Sequence, residues 1–191
     1  LASVISVSRR IEKWRPLTWT ALVSGIIGTY ILVGLVPVST PNAPWFLFLS
    51  GAVAICAMIL PGISGSFILV LLSKYQYILG AVNQKDFLTL AIVAAGACAG
   101  IVAFSRLLGW LLKKHHDVMV AVLTGLMLGS LRKVWPWKET LESMLDRHGN
   151  VIALVRTNIL PSQWDMEVFS ALSLMIAGLL TVLVLDRMAG R

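Results

Sequence analysis

The sequence predicts an all-α, polytopic integral membrane protein with broken or re-entrant helical hairpins, and three observations carry that prediction. Hydrophobic residues make up 58% of the chain and charged residues 13%, with a mean hydropathy of +0.85, well outside the range of soluble domains. Three apolar runs, near 17–36, 87–112 and 168–185, are long enough to cross about 30 Å of hydrocarbon as helices. Between the first two lies Pro61-Gly62-Ile63-Ser64-Gly65-Ser66, a break set between apolar runs at 45–60 and 67–82. Each of those runs would make a helix of about 24 Å, too short to span comfortably.

Composition also excludes several functional classes. The net charge of +7 would suggest nucleic acid in a soluble domain, but basic loops facing anionic lipid headgroups account for it here, and no nucleic-acid partner is expected. Cys56 and Cys98 stand alone in apolar runs, far from any second metal ligand, and read as small buried hydrophobes. The pattern shows neither a metal-ligand set nor a nucleotide-binding loop, so no cofactor and no metal are expected. A lipid phosphatase would need a nucleophile or a metal set, and no clustered His/Asp constellation is visible for one.

Taken in order, the chain reads as a single transmembrane domain over 1–191 that opens on Leu1 without a cleavable-signal pattern, as the C-terminal part of a longer protein would. Arg9, Arg10, Lys13 and Arg15 precede the first span, and Trp14 and Trp19 suit the headgroup boundary. The positive-inside rule places this cluster in the cytoplasm, on a small excess of eight Lys/Arg in cytoplasmic segments against seven elsewhere outside the spans. The uncharged, Pro-rich loop at 37–44 then lies outside.

The broken hairpin at 45–82 follows. Backbone that leaves the helix at membrane depth is tolerated only where protein buries it or where it lines a wet cavity, so the break marks a site. The alternative is a tight turn joining two short, tilted spans. The run 87–112 carries Gly96-Ala97-Cys98-Ala99-Gly100, a small-residue face for close helix approach, and Arg106, which either snorkels to the boundary or turns inward toward an anion. Lys113, Lys114, His115, His116 and Asp117 form a polar turn; adjacent histidines point in different directions, unlike the i,i+4 pair that clamps a metal. The short element at 118–134 holds Gly125 and Gly129, and either re-enters or spans with help from the run Arg132-Lys133-Val134-Trp135-Pro136-Trp137, whose aromatics anchor at the boundary. In the polar segment 138–165, Leu141, Met144 and Leu145 fall at helical spacing among Glu139, Glu142, Asp146 and Arg147, which predicts a short surface or interfacial helix.

Four ordered motifs carry a resemblance. Met58-Ile59-Leu60-Pro61-Gly62-Ile63-Ser64-Gly65-Ser66-Phe67 with Lys74-Tyr75, then Phe104-Ser105-Arg106-Leu107-Leu108, Gly125-Leu126-Met127-Leu128-Gly129-Ser130-Leu131 and Trp135-Pro136-Trp137 resemble a bacterial membrane family formerly catalogued as domain of unknown function 368. Its members are regarded as translocases that return undecaprenyl phosphate, the lipid carrier of cell-wall synthesis, across the cytoplasmic membrane. The resemblance covers most of residues 10–191. It implies a multi-pass protein of the bacterial cell membrane, a transporter and not an enzyme, with undecaprenyl phosphate or a similar polyprenyl phosphate and the lipid bilayer as partners. It also implies an earlier, related half with its own Pro-Gly-x-Ser-Gly break, so that this chain resembles the second half of an internally repeated transporter and needs that N-terminal half or a second copy.

The residues of the break suit a phosphate. A helix starting near Ser66 would present unpaired N–H groups and the positive end of its dipole, Ser64 and Ser66 add hydroxyl donors, and Pro61, Gly62 and Gly65 shape a backbone that a headgroup can approach. Lys74, Tyr75 and Arg106 complete the candidate substrate-binding set, with no catalytic residue among them. Alternatively, the serines cap the broken helix, and both roles can coexist. Two other functions use the same features: a secondary transporter of a small anion, which would carry a water-soluble substrate, and a structural subunit, in which Ser64, Ser66 and Arg106 would be dispensable.

Overall fold

The computed structural model describes residues 2–145, 151–159 and 165–189; Asp146, Arg147 and Arg191 lie outside them. Along the described residues run α1 (Ala2–Ser8), α2 (Pro16–Val33), α3 (Pro44–Ile59), α4 (Gly65–Leu71), α5 (Tyr75–Asn83), α6 (Phe87–Lys114), α7 (His116–Val134), β1 (Lys138–Leu145), β2 (Val151–Asn158) and α8 (Met166–Ala189). Helices Pro16–Val33, Phe87–Lys114 and Val168–Met188 are long and apolar enough to cross a membrane. The protein is therefore a helical, multi-pass membrane protein, and its many exposed large apolar side chains are surface for lipid.

Local chemistry sets several of the boundaries. Pro16 and Pro44 open α2 and α3, where a missing N–H costs nothing and the fixed φ suits the first turn. Asp86 caps α6: one carboxylate oxygen accepts from Thr89 N at 3.2 Å and the other from Thr89 Oγ1 at 2.6 Å.

Two helix pairs make the body. In the first, α2 and α7 run parallel. A Cβ built on Gly25 would lie 2.7 Å from Val122 O, one on Gly125 would strike Leu22 O, and one on Gly129 would lie 2.6 Å from Ile26 O. Small residues thus let the backbones touch, and dispersion and weak polar contacts replace the hydrophobic effect that lipid does not supply. Around the start of this seam Ile11, Ala21, Val120 and Ala121 form the buried core. In the second pair α3 and α6 also run parallel: Gly96 sits on Phe48 O, Gly100 on Ala52 O, and Cys56 Sγ donates to Gly100 O at 3.7 Å. The small-residue face predicted at 96–100 is this contact.

The structure corrects two local expectations. The run 67–82 is not one helix: α4 ends at Leu71, Ser73 takes a positive φ of 52°, and α5 leaves at 103° to α4. The segment after 138 is not a surface helix but an antiparallel β-hairpin, with Lys138 opposite Asn158 and Leu145 opposite Val151. Helical spacing of three apolar residues lost to a cross-strand partner that local spacing cannot reveal. Trp135 Nε1 donates to Ile159 O at 2.8 Å and Asn158 Nδ2 to Arg132 O at 2.9 Å, which ties the hairpin to the end of α7.

Candidate functional site: the break between α3 and α4

At Leu60 the chain leaves α3 in an extended conformation, turns through Gly62 at a φ of +90°, and re-enters helix after Ser64. Only glycine adopts that φ without strain. It also fits because a Cβ built on Gly62 would lie 2.6 Å from Ser130 Oγ and 3.0 Å from Leu126 O, both on α7. Gly65 is buried for a different reason: a Cβ there would lie 2.6 Å from Ala54 O and 2.7 Å from Met58 Cγ. The room at Gly65 is thus filled by α3, and the residue serves the α3–α4 contact.

The break presents several donors. Ile68 N makes the first helical bond of α4, to Ser64 O, so the N–H groups of Gly65, Ser66 and Phe67 precede the bonded ladder. Ser64 stands at the N-cap but makes no capping bond; its hydroxyl pairs with that of Ser66 at 2.7 Å, and both side chains are exposed. With seven residues α4 carries a much weaker dipole than a helix running on to Val82, so local N–H and O–H groups, not the macrodipole, are what the break offers.

A cation reaches this point from α7. Lys133 Nζ lies 4.6 Å from the centroid of the Phe67 ring, one residue past Ser66, and Lys133 is exposed. Sequence reasoning placed Lys133 only in a boundary run, because its approach to Phe67 is a contact across 66 positions with no local signal. Its neighbour Arg132 is committed elsewhere, donating to Tyr30 O at 3.0 Å with its guanidinium over the Tyr30 ring.

The other predicted site residues divide. Arg106 is exposed and, among the described residues, has no hydrogen bond or ion pair. The α3/α6 register, with Gly96 on Phe48 and Gly100 on Ala52 and Ile55, sets Arg106 level with the end of α3 and the start of the break. Lys74 is not brought there. Lys74 is 1% exposed, its Nζ donating to Thr40 O at 2.8 Å and to Asn42 Oδ1, with the Phe46 and Tyr77 rings at 5.5 and 5.8 Å. Phe46 begins α3 and Met58, beside Gly65, ends it, so Lys74 and the serines are separated by roughly 18 Å of helix. Tyr75, the first residue of α5, is exposed at that same end. Val38 N donates to Leu71 O at 2.9 Å and Thr40 Oγ1 to Leu72 O, so the loop at 37–42 is fastened over the α4–α5 bend.

A hairpin that descends sixteen residues, breaks at Pro61–Ser64 positions, and returns to the level at which it began defines a class: polytopic membrane proteins with a broken-helix site between packed helices. The chain belongs to the undecaprenyl phosphate translocase-like family, whose family model matches residues 1–152. It is 42% identical over 201 residues to the polyprenyl-phosphate transporter of Vibrio cholerae serotype O1, an alignment that covers 99% of this chain and 63% of that protein. It is also 35% identical over 95 residues to the polyprenyl-phosphate transporter of Staphylococcus aureus, covering 47% of this chain and 34% of that protein. The chain thus spans less than two thirds of the length of these relatives. No solved structure matches it.

Proposed function

We propose that this chain takes part in carrying a polyprenyl phosphate, undecaprenyl phosphate in particular, across the bacterial cytoplasmic membrane. The phosphate binds at the break between α3 and α4 while the polyprenyl tail stays in lipid. The observation that carries this reading is the approach of Lys133 to the ring of Phe67, the residue that follows Ser66, which brings a cation of α7 to the same short helix whose start carries the paired hydroxyls of Ser64 and Ser66 and the leading N–H groups. A dianionic headgroup in hydrocarbon would be prohibitively unfavourable, and charge-assisted donors at a break set at membrane depth offset that cost. Counting along the helices, Arg106 lies about 14 Å and Ser130 about 22 Å from the α6–α7 turn, inside a hydrocarbon layer of ~30 Å. Pro61 and Gly62 set the turn, Gly65 holds α4 against α3, and Arg106 supplies a second cation from the neighbouring helix. A second broken hairpin, from an N-terminal half or a second copy, closes the other side of the headgroup, as the family resemblance implies.

Binding of undecaprenyl phosphate against undecaprenol, measured on the purified protein in nanodiscs, tests the reading. The phosphate is expected to bind more tightly, and Lys133→Gln to weaken phosphate binding roughly 12- to 160-fold with the alcohol unaffected, the range for losing one charge-assisted contact. Arg106→Ala is expected to act in the same direction. Equal binding of phosphate and alcohol by the parent protein would overturn the assignment and favour a small-anion carrier or a structural subunit.

A further inference from the structure

A second cationic site lies apart from the break, at the end of the molecule where α2 and α7 begin and α6 ends. A cavity of about 360 Å³ opens there, lined by Lys13, Arg15, Lys114, His115 and His116. That volume is within the range of small-ligand sites. We infer that this cavity is an anion site for a phosphate monoester at the membrane–water boundary.

The charge balance carries the argument. Two carboxylates also line the cavity, those of Glu12 and Asp117. Asp117 is engaged in building the wall: Oδ1 accepts from Glu12 N at 3.1 Å, Oδ2 from Lys13 N at 3.2 Å, and His116 Nδ1 lies 3.4 Å from Oδ1. Among the described residues the side chains of Lys13, Arg15 and His115 make no hydrogen bond or ion pair, so their donors are free to meet a ligand. Arg15 also occupies the position just before α2, where a cation faces the positive end of a helix and a carboxylate or hydroxyl is the usual occupant. The lining thus holds three fixed cations, Lys13, Arg15 and Lys114, against the carboxylates of Glu12 and Asp117, of which Asp117 is taken up by backbone N–H groups; an anion in the cavity balances the remaining positive charge, and the forked guanidinium of Arg15 suits two oxygens of a phosphate.

Surrounding aromatics set the depth. The rings of Trp14 and Trp19 lie 4.6 Å apart with both side chains exposed, and Lys114 Nζ sits 5.1 Å from the centroid of the exposed Trp110 ring. Indoles in this arrangement mark the headgroup level, where the anions at hand are lipid phosphates and free phosphate. The preference for an anion stands on the cavity alone. The choice of a phosphate monoester rests on the proposed transport, because a headgroup leaving the break on this side would meet the cavity next.

The test is a titration of the protein in phosphatidylcholine nanodiscs with farnesyl phosphate, farnesol and inorganic phosphate. The parent is expected to bind farnesyl phosphate at two separable sites. The double variant Arg15→Gln/Lys114→Gln is expected to lose one of them, with affinity falling at least about 10-fold, the effect of one lost charge-assisted contact. Lys133→Gln should affect only the other. The charge-retaining pair Arg15→Lys/Lys114→Arg should keep most of the boundary binding, which separates lost charge from lost fold. In the Lys133→Gln protein, displacement of farnesyl phosphate by an equal concentration of inorganic phosphate would show that the cavity takes the free ion; failure to displace would show that it takes the lipid-borne headgroup. If Arg15→Gln/Lys114→Gln binds farnesyl phosphate as the parent does, or if phosphatidylglycerol displaces the monoester equally well, the inference fails. If that double variant loses a site while Lys133→Gln changes nothing, the boundary site stands and the reading of the break falls instead.

Discussion

Thr29 is 1% exposed in the α2–α7 seam, and its hydroxyl has no partner among the described residues. Replacing an unpaired buried hydroxyl with a methyl of the same shape removes a desolvation cost without opening a cavity. Thr29→Val is therefore expected to be neutral or to stabilise by up to about 1 kcal/mol in thermal unfolding of the detergent-solubilised protein. The contrast is Thr124, buried in the same seam but bonded through Oγ1 to Val120 O at 2.7 Å, where the same exchange gives up a satisfied bond. At this scale the sequence was a partial guide. Pro61 and Gly62 announce their break because ring and positive φ leave little choice. Ser73 hides the second one, since it takes a φ of 52° where glycine would be expected, held between a Leu69–Lys74 backbone bond and the loop bonds of Lys74. Lys133 is equally silent in the sequence, because the ring it meets lies 66 positions away.

Among the elements, the helix pairs stand on close backbone contact. Gly96 lies against the carbonyl of Phe48, so even a methyl there must push α3 and α6 apart. Gly96→Ala is expected to destabilise the protein by about 1–3 kcal/mol, the usual cost of overpacking, whereas Gly109→Ala, which meets nothing within 4 Å, should not; thermal unfolding of the two variants makes the comparison. The segment before α2 is fastened to α7 by Asp117, whose carboxyl is held below the usual range first by the Glu12 N–H and further by His116 and the Lys13 N–H. A lowered carboxylate pKa contributes stability that is present above the ordinary carboxylate value and lost as pH falls through the folded one. Hydrogen-exchange protection of the Glu12 and Lys13 amides should accordingly be complete above that ordinary value and be lost as pH falls on through the lowered folded one, and Asp117→Asn should weaken it at neutral pH. The long apolar elements α2, α6 and α8 were legible from length and composition alone. The β1–β2 hairpin was not, since each strand is specified by the other.

For the molecule as a whole, two parallel pairs, α2 with α7 and α3 with α6, are joined by the 34–43 segment between α2 and α3, by His115 between α6 and α7, and by the contacts of Gly62 with Ser130 and Leu126 and of Phe67 with Lys133. Tight seams within each pair and slender links between them make the pairs the natural units of any rearrangement at the break. Composition announces a membrane protein, and four ordered motifs announce the family, but neither says which helix lies beside which. That arrangement follows from where small residues meet across distant segments.

The fastening of the 37–42 loop by Lys74 has a use in the hands of a chemist. Amine reagents in water attack only the neutral, accessible form of lysine, and Lys74 is sealed by Thr40, Asn42 and two rings while Lys85 and Lys113 stand open. In a timed acetylation read by mass spectrometry, Lys85 and Lys113 are expected to be modified early and Lys74 last. The lag is a clock: it counts how often the loop lifts from the bend, with no label to be engineered into the chain. If a polyprenyl phosphate enters from that face, its presence should change the interval, and if Lys74 reacts as fast as Lys85 the seal is not one the protein keeps in solution.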